Sequence, residues 1–262
     1  MDGLETLAVE VDGPVARVTF SRPKRLNAFN EAMSGELVTV VDRLRDDPDV
    51  RVVVLRGEGG NFMGGADIGM LQEWAALERD GLRDRLLAGF SPSLLEQLPQ
   101  PVIAAVDGFA LGMGCEVSLG CDLRIATSRA QFGLPEITLG VIPGAGGSQR
   151  LPRLIGRTRA ARAVLTAARI SAEQALDWGL ANLVVEPEEL DGAVDELVEE
   201  LLQLSPLALR RAKACLVASD DRSLYPGIEF ELENFVDAVG TEDAAEGTAA
   251  FLEKRRPQFK GS

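Results

Sequence analysis

Histidine is absent from all 262 residues. Its absence excludes a Ser-His-Asp triad, a histidine-ligated zinc site and imidazole acid/base chemistry, leaving carboxylates as the natural carriers of proton transfer near neutral pH. Cysteine is scarce, and Cys115, Cys121 and Cys215 form no CxxC pair. An odd count fits a reducing compartment better than a disulfide scaffold, so a cytoplasmic location is expected, and the two neighbouring thiols lack further ligand types that would suggest a metal. No G-x-x-x-x-G-K-[ST] and no G-x-S-x-G occurs, which removes the P-loop and the nucleophile elbow. Residues 1–5 carry neither a positive run nor an apolar stretch, so no leader is expected. The most membrane-like window, Pro101 to Cys121, holds Asp107 and Glu116 and is cut by Gly108, Gly112, Gly114 and Gly120, so it is not expected to span a bilayer. Bases are also in deficit, 27 against 41 acids, and the resulting charge of −14 argues against nucleic acid as a partner. An anionic ligand would need a local basic patch.

What is present describes a compact chain, 46% apolar and 26% charged. Asp12-Gly13 between two β-rich runs, Leu7 to Glu10 and Val15 to Phe20, predicts a hairpin. Helical spacing follows over Glu31 to Arg45, then short buried-strand patterns over Val50 to Leu55, Pro101 to Val106 and Leu123 to Ala126, with helices between Met70 and Leu98 and over Met113 to Gly120. Strands separated by helices indicate α/β architecture. Ser171 with Gln174 reads as a capping box, Gly179 as a helix stop and Pro187 as a helix start, and helical stretches over Pro206 to Val217, Ile228 to Val239 and Thr241 to Lys254 complete the chain. The expected division is an α/β core over residues 1–200 and a helical region over 201–262 for oligomerisation and active-site closure.

Two carboxylates stand out. Glu116 lies in the run Gly112 to Glu116 and Glu136 in Phe132 to Glu136, and carboxylates amid apolar and glycine-rich sequence are costly to bury unless their proton chemistry is used. Single glycine clusters usually make only tight turns. Here two turns, Gly112 to Cys115 and Asn61 to Asp67, each follow a buried strand, and free N–H groups at such a turn can hold a developing oxyanion. The segments beginning at Gly112 and Gly144 each lack the third glycine of a dinucleotide fingerprint, so no nicotinamide or flavin site is expected. Spacing alone leaves open whether the two glutamates meet. Two basic clusters, Arg22, Lys24, Arg25 and Lys254, Arg255, Arg256, Lys260, read either as solvated surface or as contacts to a phosphate-bearing ligand.

Five segments, Arg22-Pro23-Lys24-Arg25-Leu26-Asn27-Ala28, Gly65-Ala66-Asp67-Ile68, Ala110-Leu111-Gly112-Met113-Gly114-Cys115-Glu116, Phe132-Gly133-Leu134-Pro135-Glu136 and Ile142 to Leu151, resemble signatures of the enoyl-CoA hydratase/isomerase, or crotonase, family in order and spacing. So does Thr241 to Phe251. The resemblance implies a crotonase-like spiral of ββα units with a C-terminal helical trimerisation region, and a homotrimer or dimer of trimers. It implies an acyl-CoA thioester substrate and no separate cofactor, since coenzyme A is part of that substrate, and no metal. Within it, the N–H groups of Ala66 and Met113 form an oxyanion hole, Gly144 helps place water, and Lys24, Arg25, Ala28, Ala66, Asp67, Ile68, Phe251 and Lys254 contact coenzyme A. Glu116 and Glu136 occupy both positions that carry acids in the hydratases. The expected activity is reversible hydration of a trans-2-enoyl-CoA, with double-bond isomerisation or non-catalytic acyl-CoA binding as alternatives. Met113 stands where hydratases commonly have a small residue, and Gly69 where a polar one is usual, so the acyl pocket is expected to differ in shape.

Overall fold

The computed structural model describes residues 3–262. The expectation of no leader rests partly on Met1 and Asp2, which lie outside the described residues.

β1 (Leu7–Asp12) and β2 (Val15–Phe20) form the antiparallel hairpin, with Asp12 opposite Val15 and Gly13 in the left-handed region at φ +53°. α1 (Glu31–Asp46) begins where the Asn30 side chain accepts the Met33 N–H at 3.0 Å, and it buries Met33, Leu37, Val40, Val41 and Leu44 on one face. β3 (Val52–Gly57) starts and ends two residues later than the β-branched run suggests, because its parallel pairing to β2, from Val15 beside Val52 to Phe20 beside Gly57, sets its bounds. α2 (Ile68–Ala75), α3 (Arg79–Ala88) and α4 (Ser93–Glu96) lead to β4 (Val102–Val106) and β5 (Phe109–Leu111). The short helix α5 (Met113–Leu119) is buried at every position and is followed by β6 (Leu123–Thr127) and β7 (Gln131–Gly133).

After a 3-10 turn over Pro135–Leu139 come α6 (Gly147–Ile155), α7 (Arg157–Thr166), β8 (Ile170–Ser171) and α8 (Ala172–Asp177). Both reciprocal bonds of the Ser171–Gln174 capping box form at the start of α8. β9 (Leu183–Val185) precedes α9 (Leu190–Leu202), with Pro187 opening a single 3-10 turn rather than the α-helix itself. α10 (Pro206–Asp221), α11 (Leu224–Val239) and α12 (Glu242–Glu253) end the chain. α11 begins four residues before the apolar pattern at Ile228, with Pro226 tolerated in its first turn.

The strands make a six-stranded sheet ordered β1-β2-β3-β4-β6-β9, parallel from β2 onward, and a small sheet ordered β5-β7-β8. Alternation places Val53 and Leu55 against α1 and the main core, and Val52 and Val54 on the opposite face beneath Leu190, Val194 and Val198 of α9. Burial on both faces is why these strands read as continuous apolar runs. α10 is tied to this core by Lys213, 6% exposed, whose Nζ lies 2.7 Å from an Asp122 carboxylate oxygen and donates to the carbonyls of Leu95 and Gln100 at 3.0 and 2.9 Å. Among the described residues no helix is long and apolar enough to cross a membrane.

Candidate active site

The two glycine turns meet. An isolated parallel bridge joins Phe29 to Ala66: the Phe29 N–H donates to Gly65 O at 2.8 Å and the Asp67 N–H donates to Phe29 O at 2.7 Å. These bonds use the groups flanking Ala66, so its own N–H is directed to the other edge of the segment. On that side stands Gly112, the residue before α5, at φ +52°. A side-chain Cβ at Gly112 would lie 3.5 Å from Gly65 Cα and 3.4 Å from Glu136 Oε1, so the turns and one carboxylate are in near contact, and the positive φ is what favours glycine there. Met113 begins α5, where a first-turn N–H has no intrahelical acceptor. The Met113 side chain is buried in the main core.

Glu116 sits one turn along α5 and is 3% exposed. Its Oε1 accepts the N–H groups of Ala145 and Gly147, both at 2.8 Å, from the glycine-rich turn that opens α6. Burial raises its pKa above the ordinary carboxylate value, and these two donors and the nearby Arg150 guanidinium oppose that rise without cancelling it. A side chain at Gly147 would displace its neighbours: a Cβ there would lie 2.8 Å from Leu134 Cδ2 and 3.0 Å from Glu116 Cγ.

Glu136, in the 3-10 turn after β7, differs in kind. Its Oε2 is buried with no hydrogen-bond partner. Burial, reinforced by the charge of Glu116, lifts this carboxyl from the ordinary 4.5 to about 7. The pair therefore combines an acid cradled by two N–H donors with one that holds its proton to neutrality, beside the N–H groups of Ala66 and Met113. Such an arrangement suits proton transfer in both directions around an oxyanion.

The sequence-predicted residues fall into three places. Glu116, Glu136, Ala66 and Met113 come together. Gly144 lies in the turn that presents Ala145 and Gly147 to Glu116, and is itself exposed. Lys24, Arg25 and Ala28 precede Phe29 in the chain, and Asp67 and Ile68 follow its bridge partner Ala66. Asp67 accepts the Gly69 N–H at 3.1 Å to start α2 and pairs with Arg22 at 3.1 Å, which holds its carboxyl below the usual range, so part of its role is structural. Lys24 and Arg25 are exposed and, among the described residues, have no ion-pair partner. Phe251, 83% exposed, lies on α12 and Lys254 caps its C-terminal end, and within the chain that helix packs on α11 rather than beside the glutamates. Arg255 is committed to Glu246 and Glu253, both at 2.6 Å.

Sequence reasoning missed two supports. Asn27, fully buried at φ +56°, donates to the carbonyls of Glu58 and Asn61 at 2.9 and 2.7 Å and accepts the Arg22 N–H, fixing the loop that precedes the Ala66 bridge. An asparagine, the residue type that most readily takes the left-handed region after glycine, inside a basic motif was the available signal. Arg150 stood in the Ile142–Leu151 segment that resembles a family signature, but nothing local marked its bond to the turn or its partner Glu96.

A family model described as enoyl-CoA hydratase/isomerase matches residues 10–262. The chain is 41% identical to a short-chain-enoyl-CoA hydratase of Clostridium acetobutylicum, over 97% of each sequence. It is 39% identical to a crotonyl-CoA hydratase of Syntrophomonas wolfei, over 97% of this chain and 98% of that protein. Among solved structures, an enoyl-CoA hydratase from Bacillus anthracis superposes with a TM-score of 0.88 at 37% identity, over 98% of this chain and 100% of the other.

Proposed function

The chain belongs to the enoyl-CoA hydratase/isomerase family, and we propose that it adds water reversibly and syn across the double bond of a trans-2-enoyl-CoA to give a 3-hydroxyacyl-CoA. The observation that carries this reading is the contrast between the two glutamates: Glu116 anchored by two N–H donors, Glu136 partnerless at Oε2 and lifted to about 7.

In the hydration direction, ionised Glu116 takes a proton from water as the water oxygen bonds to C3. The π electrons move toward the thioester, whose oxygen is held by the Ala66 and Met113 N–H groups, a type of donor whose loss costs roughly 100- to 1000-fold. Protonated Glu136 then delivers its proton to C2. Water is thus divided between C3 and, by way of the carboxyl pair, C2. Proton exchange with solvent returns Glu136 to its acid form and Glu116 to its base form. General acid/base assistance of this kind is worth roughly 100- to 10000-fold.

Lys24, Arg25 and Lys254 are suited to the phosphates of coenzyme A, with Ala28, Asp67, Ile68 and Phe251 as further contacts. Coenzyme A enters as part of the substrate, and no resident cofactor is required. The exposed stripe Leu224, Tyr225, Ile228, Leu232, Phe235, Val236 and Val239 along α11 supports assembly into a trimer or a dimer of trimers through residues 201–262, set apart from a core over 1–200. Three free thiols favour the cytoplasm.

Incubation with crotonyl-CoA in deuterated water tests the reaction. Hydration yields a 3-hydroxyacyl-CoA with deuterium at C2, whereas a shifted double bond with no added oxygen would mark an isomerase. Binding by calorimetry with no product would mark a non-catalytic member.

A further inference from the structure

The two N–H donors that hold Glu116 belong to a turn with Gly146 at φ +100°, which rests on the core through Ala145 and Gly147 and is gripped by one charged side chain, Arg150 on the first coil of α6. Its Nη1 donates to the Ala145 carbonyl at 2.9 Å. Its Nε and Nη2 form a fork on Glu96 of α4, at 2.5 and 2.8 Å, and Nη2 also donates to the Ser93 hydroxyl at 2.8 Å. Planar pairing of this kind fixes direction as well as distance. The guanidinium occupies the space that a Cβ on Gly146 would fill, 2.0 Å from Nη1, so glycine at that position and arginine four residues on are a matched pair.

We propose that Arg150 is a positioning residue for the hydration chemistry: braced by Glu96 and Ser93, it locks the Ala145–Gly147 turn so that both N–H groups meet Glu116 Oε1 and Glu116 serves as the base while Glu136 serves as the acid. The inference rests on the two-glutamate reading above and adds what makes two similar carboxylates unequal. The charged and titratable groups around Glu116 are few. Glu136 from the 3-10 turn is raised by the charge of Glu116, Cys115 on its own helix is a buried thiol pushed up to about 12, and Arg150 from α6 is the cation acting on Glu116. Glu96 and Asp220 act in turn on Arg150, and keep it charged. Removing the guanidinium takes away the one nearby positive charge and frees the turn, so Glu116 ionises only at higher pH.

The experiment is a pH profile of kcat/KM for crotonyl-CoA hydration on the intact oligomer of Arg150→Met, Arg150→Lys and Gly146→Ala, with Glu136→Gln run alongside. Arg150→Met is expected to lose roughly 10- to 100-fold in kcat, with KM changed less than about threefold and the acid limb displaced to higher pH. Arg150→Lys, which keeps the charge without the fork, is expected to return the acid limb to its original place while recovering only part of the rate. In Gly146→Ala the new methyl displaces the guanidinium, giving the same displacement from the opposite partner. If Arg150→Met fails to assemble, the limb positions of Arg150→Lys and Gly146→Ala decide. An unmoved acid limb in Arg150→Met or Gly146→Ala overturns the proposal even if activity falls, because a purely structural loss lowers rate at all pH values alike. Turnover surviving in Glu136→Gln would instead overturn the two-glutamate reading, whatever Arg150 does.

Discussion

Glu136→Gln is expected to make the protein more stable above neutral pH while abolishing hydration. The wild-type carboxyl is raised from 4.5 to about 7 by burial, so the folded chain binds its proton more tightly than the unfolded chain does. Between these two values the native state holds more protons, and stability therefore falls as pH rises through that window. Above it, ionising Glu136 in place costs at most ~3 kcal/mol, and about 1–3 kcal/mol once the partly exposed edge of the side chain is allowed its share of solvent screening. A glutamine cannot ionise and escapes this cost, although its amide still faces the buried space where Oε2 lacks a partner. Urea denaturation at pH 8 and pH 5, at one protein concentration so that assembly contributes equally, reads the effect. The variant should exceed the wild type at pH 8 by about 1–3 kcal/mol, and the gap should close at pH 5. An equal difference at both pH values would refute the reasoning, since it would show that ionisation of Glu136 is not what the fold resists.

Three further outcomes follow from named contacts. Gly147→Ala places a methyl 2.8 Å from Leu134 and 3.0 Å from Glu116 Cγ; it should cost about 1–3 kcal/mol in stability and reduce crotonyl-CoA turnover by at least tenfold, as calorimetry and steady-state assay would show. Lys213→Met leaves the half-buried Asp122 without its cation and two core carbonyls without their donor, and should destabilise by about 2–4 kcal/mol, with Asp122→Asn in the same chain recovering part of the loss in chemical denaturation. Asn27→Ala removes three side-chain hydrogen bonds that brace the loop beside Ala66 and should lower both the melting temperature and kcat, whereas an effect on stability alone would detach that loop from the oxyanion site.

Most of the scaffold was legible because local chemistry and tertiary structure agree there. Asp12-Gly13 demands a hairpin, Ser171 and Gln174 satisfy each other's backbone donors, and Thr241 accepts the Ala244 N–H at 3.1 Å to begin the last helix. Boundaries fixed from outside the segment were not legible: β3 ends where its neighbour ends, and α11 gains a turn through Pro226 that its own apolar spacing does not announce. The site divides along the same line. Glu116, Glu136 and the two glycine turns stand out because acids and bare backbone in apolar sequence have few cheap uses. Their convergence and their inequality depend on partners 29 to 54 residues away, Ala145 and Gly147 on Glu116 and Glu96 on Arg150, and no local pattern encodes such pairings. Lys213 is the extreme case: an unremarkable helical lysine becomes buried only because three acceptors from the core converge on it.

The most direct test of the central claim, that two glutamates of unequal acidity add water to an enoyl-CoA, is product analysis by mass spectrometry after incubation of crotonyl-CoA in water enriched in oxygen-18. The wild type should form 3-hydroxybutyryl-CoA carrying one heavy oxygen on C3, and Glu136→Gln should form none while still binding the thioester. A wild-type product without the heavy oxygen, or undiminished labelled product from Glu136→Gln, would contradict it.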